Sequence, residues 1–343
     1  MRRAAALLVI PMLAAAAAAG CSSSPSSSAP SSSSSSKPAS APSSSASSPA
    51  ASSSPTGPTA ASNSVVTASG KFGAAPTVTI PAENAATALY TKTVIQGSGA
   101  PLTTTDSLLG NFVLYDWTGT THKLLGSTFS SGNPTLFAGQ MLPGLEKALI
   151  GQKEGSRILA VIPPADGFGP TGNSQIGVGG KDTLVFVIDM IQDIVNGKGV
   201  AGAQVSDGGS GLPTVTTATG KAPAIKIPAS TPPKTLQVKT LIKGNGRTLA
   251  KGDYIVVQYT GMSWTTKKIF DSSWTRSQPF PLNIGVGQVI KGWDTGLIGQ
   301  KVGSRVLLVI PPAQAYGKSG QKTGGIPPND TLVFVIDILA GAK

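Results

Sequence analysis

The chain has 343 residues and carries 27 Lys+Arg against 15 Asp+Glu, a net charge of +12, yet only 12% of its residues are charged. That length accommodates two ordinary domains beside a compositionally biased N-terminal region. The basic residues form no dense stripe and are not interleaved with aromatics, which argues against a nucleic-acid interface and for a mildly basic surface facing an anionic envelope.

Arg2 and Arg3 precede the apolar run ALLVIPMLAAAAAAG, which is too short to span a bilayer stably and ends at Cys21. This order reads as a secretory signal peptide over residues 1–20, with the arginine pair as its basic n-region. AAGC at 18–21 resembles a bacterial lipobox, which implies that Cys21 becomes the lipid-modified first residue of the mature chain. Cys21 is also the only cysteine, so neither an internal disulfide nor a cysteine-based metal cluster is possible. The expected location is therefore secreted and lipid-anchored at the outer face of the bacterial cell membrane.

From 21 to 63 the chain is nearly all Ser, Pro, Ala and Thr. So little apolar surface cannot offset ordering entropy, and a tether with an r.m.s. reach of about 35–40 Å is expected.

The rest is an internal repeat. GQKEGSRILAVIPPADGFG (151–169) recurs as GQKVGSRVLLVIPPAQAYG (299–317), and KDTLVFVIDM (181–190) as NDTLVFVIDI (329–338), both at an offset of 148 residues. KTVIQGSG (92–99) matches KTLIKGNG (239–246), and GK at 70–71 matches GK at 220–221. Two homologous domains follow, over 64–195 and 212–343, joined by a Gly-rich stretch, 196–211, that reads as a flexible linker. A long unit present only twice indicates paired globular domains and not a solenoid.

Within each domain the apolar runs are short, β-branched and bounded by Gly, Pro, Asn and Asp. YIVVQYT, RVLLVIPP and TLVFVIDIL are expected as antiparallel strands. In VIKGWDTGLIG (289–299), Ile290, Trp293 and Leu297 recur at helical spacing, as do Leu142, Leu145 and Leu149 in domain one. The fold class is therefore α+β, each domain a curved antiparallel sheet packed on one short helix.

Five segments of domain two, VVQYTGM (256–262), KKIFDSSWTRSQPF (267–280), GQVIKGWDTG (287–296), PAQAYG (312–317) and GGIPPNDTLVF (324–334), together resemble the FKBP-type peptidyl-prolyl cis-trans isomerases in order and spacing. The resemblance implies tandem FKBP-like domains, each a sheet wrapped on its helix, with an apolar pocket between them. It places Tyr259, Asp271, Ile290, Trp293 and Tyr316 as catalytic residues. Phe270, Arg276, Phe280, Val289, Ile326 and Phe334 are placed as substrate-binding residues. Trp293 is expected as the pocket floor, the Ile290 N–H and Tyr316 hydroxyl as donors to substrate carbonyls, and Asp271 as oriented by Tyr259 and Arg276. Gln288 stands where the family often has Glu and Gly325 where a bulkier apolar residue is common, which bears on substrate preference.

The expected chemistry needs no metal or cofactor. Rotation about a peptide bond crosses a barrier of roughly 18–20 kcal/mol, and the twisted amide has lost the charge separation of the planar one. A dry apolar site therefore favours the twisted form. The only histidine, His122, lies in domain one, so domain two holds neither a Ser-His-Asp triad nor a His-based metal site. Expected partners are proline-containing unfolded or extended polypeptides, the membrane through the lipid anchor, and, by the resemblance, macrolides such as rapamycin. Two alternatives stay open: a non-catalytic chaperone or polypeptide-binding lipoprotein, and a surface display scaffold. Taken singly, the pocket phenylalanines, Val289 and Trp293 also read as core, and Asp271 with Arg276 as a solvated ion pair.

Domain one reads as a degenerate copy. Trp117 is expected where domain two has Tyr259, Leu145 where it has Trp293, Phe168 where it has Tyr316, and Gly126 where it has Asp271. On this alignment the interval from Thr118 to Gly139 is six residues shorter than that from Thr260 to Gly287.

Overall fold

The computed structural model describes residues 66–216 and 221–343; the expected signal peptide, Cys21 and the expected tether lie outside them. Domain one contributes β1 (Thr67–Ser69), β2 (Thr77–Thr79), β3 (Tyr90–Ile95), β4 (Asp106–Thr118), β5 (Thr121–Ser127), β6 (Thr135–Phe137), α1 (Pro143–Leu149), β7 (Arg157–Ile162) and β8 (Thr183–Val195). Domain two repeats the series as β9 (Thr214–Thr216), β10 (Ala224–Lys226), β11 (Gln237–Ile242), β12 (Tyr254–Ser263), β13 (Ile269–Ser272), β14 (Phe280–Asn283), α2 (Lys291–Leu297), β15 (Arg305–Ile310) and β16 (Leu332–Ala342).

Each domain is a six-stranded antiparallel sheet wrapped on one short helix. The orders are β3-β7-β8-β4-β5 with β6 beside β4, and β11-β15-β16-β12-β13 with β14 beside β12. The expected strands form where the apolar runs lie, because β-branched side chains suit a pleated sheet that is covered by packing.

The central strands are covered on both faces, which explains why RILAVI and RVLLVI read as unbroken apolar runs. Along β15, Val306, Leu308 and Ile310 face the helix side, while Leu307 and Val309 join Val215, Ile227 and Trp264 on the opposite face. In domain one Ile158, Ala160 and Ile162 face inward, and Leu159 and Val161 pack with Val66, Ile80 and Trp117. The cover on the outer faces comes from the β1-β2 and β9-β10 hairpins, which run antiparallel and precede each main sheet.

An ion pair is buried in each sheet. Arg157 stands opposite Asp189 on β7 and β8, and Arg305 opposite Asp337 on β15 and β16. The Arg157 and Asp189 side chains are fully buried, with Nε 2.6 Å from Oδ1. Their remaining valences go to the first hairpin: Arg157 Nη2 donates to the Ala74 carbonyl at 2.6 Å, and the Gly73 N–H donates to Asp189 Oδ2 at 2.7 Å. Burial of such a pair is tolerable because its polar atoms find partners.

The stretch 196–211 differs from the expected flexible linker. The Val200 N–H donates to Asp337 Oδ2 at 2.9 Å, and the Val205 N–H to the Leu241 carbonyl at 2.7 Å. A Cβ on Gly199 would lie 2.1 Å from Asp337 Oδ2. Glycine here serves close approach to the second ion pair, a use that composition does not distinguish from looseness.

Candidate active site

Domain two gathers an aromatic cluster between its sheet and its helix. Tyr259 and Gly261 lie on β12, Phe334 on β16 directly opposite Gly261, and Asp271 on β13 opposite the same glycine. A Cβ on Gly261 would come within 2.7 Å of both the Phe270 and Phe334 rings. The glycine therefore lets those rings meet edge to face over the strand, with centroids 5.5 Å apart.

Trp293, in the first turn of α2, is 3% exposed. Its ring meets Tyr259 at 5.3 Å and Phe334 at 5.2 Å, both edge-on. Such pairs are each worth about 0.5–1.5 kcal/mol beyond area burial and fix ring orientation. Phe280, first residue of β14, stands 5.8 Å from the Tyr259 ring. Ile326 is buried in the same cluster, and Phe270, Val289 and Ile290 pack against it, half-buried.

Three polar groups line one side. The Tyr259 hydroxyl donates to Asp271 Oδ2; Arg276 Nη1 donates to Asp271 Oδ1 at 2.6 Å and Nη2 to the Tyr259 oxygen at 2.9 Å. Burial of the ring, reinforced by the Asp271 carboxylate, pushes the Tyr259 hydroxyl up to about 12, so it stays a donor. Burial works against ionising Asp271, but the hydrogen bonds from Arg276 and Tyr259 outweigh it and hold the carboxyl below its ordinary range. The Arg276 and Asp271 side chains are 49% and 41% exposed, so the pair orients Tyr259 more than it stabilises the fold.

The rim is apolar and open to solvent. Tyr316 is 38% exposed and Phe280 36%. Burial and the Asp271 charge together raise the Tyr316 hydroxyl, so it too stays protonated. Ile290 is the N-cap residue of α2, not part of the helix. Its N–H has no acceptor among the described residues, and the buried Trp293 Nε1–H likewise lacks a partner. An unpaired backbone donor such as the Ile290 N–H beside an apolar pocket is suited to a polar ligand atom.

Gly261 and the Ser273 hydroxyl were not singled out from the sequence. Ser273 Oγ accepts from the Tyr259 N–H at 2.8 Å and donates to Gln258 Oε1. The glycine inside YTGM was the one available signal, because glycine within a strand marks a close approach.

In domain one the sheet register corrects the alignment. Trp117 is opposite Thr183, and its counterpart is Trp264, whose backbone N–H donates to the Thr331 carbonyl; both indoles pack on the outer faces. Phe112, opposite Ile188, occupies the place of Tyr259, which is opposite Ile336. The interval to the glycine before the helix is then one residue shorter, from Phe112 to Gly139 against Tyr259 to Gly287, and not six. Gly126 does stand at the Asp271 position, because it pairs with Leu114 as Asp271 pairs with Gly261. Leu114 thus fills the space that Gly261 leaves open. Leu145 and Phe168 hold the Trp293 and Tyr316 positions within the inner core.

Comparison with known proteins agrees with this architecture. Residues 104–191 and 245–339 match the family profile described as FKBP-type peptidyl-prolyl cis-trans isomerase. The chain is 42% identical over 118 residues to the FK506-binding protein of Streptomyces anulatus, covering 34% of this chain and 95% of that protein. It is 51% identical over 108 residues to FK506-binding protein 1 of Debaryomyces hansenii, covering 31% and 95%. With the FK506-binding protein of Neisseria meningitidis serogroup B it shares 45% identity over 104 residues, covering 30% and 94%. With both of its repeats matching and the sheet-on-helix architecture present twice, the chain belongs to the FKBP-type peptidyl-prolyl cis-trans isomerase family.

Proposed function

We propose that the isomerase reaction takes place in the domain-two pocket and that the protein assists folding of exported proteins from a lipid anchor at the outer face of the cytoplasmic membrane. The observation that carries this reading is the asymmetry between the repeats. Domain two has an aromatic floor at Trp293 beside the hydrogen-bonded Tyr259, Asp271 and Arg276. Domain one has Leu145, Phe112 and Gly126 in the places of Trp293, Tyr259 and Asp271.

In this mechanism a prolyl ring stacks against Trp293 as the floor, walled by Phe270, Phe280, Val289, Ile326 and Phe334. The pocket offers no water to the planar amide, whose charge separation is lost on twisting, so the twisted state is bound relatively better. The Ile290 N–H holds a substrate carbonyl, and the Tyr316 hydroxyl donates to the carbonyl next to proline. Asp271 and Arg276 hold the Tyr259 ring at the pocket side. The substrates are unfolded or extended chains, in which slow Xaa-Pro bonds limit folding for tens of seconds or longer. Macrolides of the FK506 and rapamycin class compete for the same pocket.

Cis-trans exchange of an Xaa-Pro peptide followed by NMR, with the full chain and its Trp293→Leu variant, tests the assignment. Acceleration by the wild type with a loss of at least tenfold in the variant supports it. Equal acceleration by both removes it. The anchor is tested by membrane extraction of the wild type and Cys21→Ser: equal release of both forms would exclude lipid attachment. Among the described residues no helix is long and apolar enough to cross a membrane.

The exposed apolar rim also supports a second reading, a chaperone that holds chains without turning them over. A wild type that prevents aggregation of an unfolded protein but leaves prolyl exchange unchanged would favour it.

A further inference from the structure

The two domains meet through corresponding surfaces. Leu109 and Ile194 of domain one pack with Val256 and Ala340 of domain two, flanked by Leu136, Ile191, Tyr254 and Leu339. Leu109 and Val256 are equivalent in the repeat, as are Ile191 and Leu339. Gln192 Nε2 donates to the Leu339 carbonyl at 3.0 Å across this patch.

One edge of the contact reaches the pocket. Asn283 ends β14, the strand that begins with Phe280. Its side-chain amide donates to Asn133 Oδ1 of domain one at 3.0 Å and to the Gly252 carbonyl at 3.2 Å. Its backbone N–H donates to Gln288 Oε1 at 3.0 Å. Gln288 directly precedes Val289 and Ile290. Asn283 therefore joins the strand bearing one pocket wall to the segment bearing the next, and Asn133 occupies one of its two side-chain donors. Beside it, Tyr254, opposite Asn283 in the β12-β14 register, packs with Leu136 of domain one. Gly139 faces the Gln278 amide, two residues before Phe280.

We propose that the 131–139 segment of domain one is a positioning element for the domain-two pocket, acting from Asn133 through Asn283 on the spacing between Phe280 and the Gln288–Ile290 segment. This deepens the proposed function and rests on it. The degenerate repeat then holds the pocket wall that receives the polypeptide flanking proline, although its own pocket is filled. Asn133 touches no substrate and acts on binding more than on bond rotation, so its removal should raise KM while sparing kcat.

The test uses the full chain and steady-state exchange on a proline peptide with Asn133→Ala, Asn283→Ala, the double variant, and Asn133→Asp, which keeps an acceptor oxygen. The expected result is a KM raised about two- to five-fold in Asn133→Ala with kcat within a factor of two, as for loss of one hydrogen bond. Asn133→Asp should restore the wild-type KM, and the double variant should be no worse than Asn283→Ala alone. An unchanged KM in Asn133→Ala, or effects that multiply in the double variant, would overturn the proposal. The Trp293→Leu control separates the two levels. If it retains full turnover, the location of the reaction in domain two falls; if it is inactive while Asn133→Ala behaves as wild type, only the positioning role falls.

Discussion

Tyr259 and Phe112 stand at the same point of their two sheets, one opposite Ile336 and the other opposite Ile188. The backbone N–H of each donates to a hydroxyl at 2.8 Å, Ser273 Oγ for the first and Thr128 Oγ1 for the second. The scaffold around the ring is thus kept, and one hydroxyl group distinguishes the positions. In domain two that hydroxyl joins Asp271 and Arg276.

Replacing Tyr259 by the domain-one residue isolates the hydroxyl. Tyr259→Phe should cost about 1 kcal/mol of stability, because Asp271 keeps Arg276 as a partner. Isomerase turnover should fall several-fold while the circular dichroism spectrum is unchanged. Wild-type turnover would show that the polar side of the pocket is dispensable.

Gly261 makes the room that Leu114 fills in domain one. Gly261→Ala forces apart the Phe270 and Phe334 rings, each within 2.7 Å of the added carbon. Overpacking of this kind costs about 1–3 kcal/mol. Loss of activity should exceed the loss of stability in consequence, since both displaced rings form the pocket. Chemical denaturation and exchange kinetics on the same sample measure the two effects.

The buried Arg157 and Asp189 pair carries the first hairpin as well as the sheet. Arg157→Met leaves the carboxylate buried without its partner, at a cost of roughly 3–5 kcal/mol. It also removes the donor to the Ala74 carbonyl. Limited proteolysis should cut first within 70–76, and thermal melting should shift down. Protection equal to wild type would mean that apolar packing alone seats the hairpin.

Asp193, at the end of domain one, has its carboxyl pushed up to about 6 by burial and by the neighbouring Asp106 and Glu154 charges. Its Oδ1 is buried without a hydrogen-bond partner. It borders a cavity of about 260 Å³ shared with Lys198, Gly303 and Leu339. The folded value lies above the ordinary carboxylate range, so the folded state binds the proton more tightly than the unfolded one. This contribution is fully present below the unfolded value of 3.8 and is lost progressively as pH rises from there through about 6. The melting temperature should carry a falling contribution between about pH 4 and 6.5, and Asp193→Asn should remove that contribution. An identical slope in the variant would assign the effect elsewhere.

Much of the site was legible because its signals are local. Trp293 and Leu297 recur at helical spacing, RVLLVI and TLVFVIDIL are dense in strand formers, and the five segments of domain two keep their order. Trp117 misled because aligning two indistinct strands by a shared Thr-Gly ignores the partner strand. Its true counterpart, Trp264, is identified by hydrogen bonding opposite Thr331. The hairpin covers were likewise missed, since TVT and AIK are too short to announce strands.

The amino-acid sequence by itself determined that there are two homologous domains, that their main strands and helices fall where they do, and that domain two alone keeps the aromatic and polar side chains of the pocket. These follow from residue type and short-range periodicity. Only the tertiary structure decided which strand faces which, that Gly261 lets the Phe270 and Phe334 rings meet, that the glycine-rich connection is bound to the second sheet, and that Asn133 reaches Asn283. Each of these depends on register or on contacts between residues far apart in the chain. A one-residue change in register turns a side chain to the other face of a sheet, and no local pattern specifies which carbonyl or amide will lie opposite.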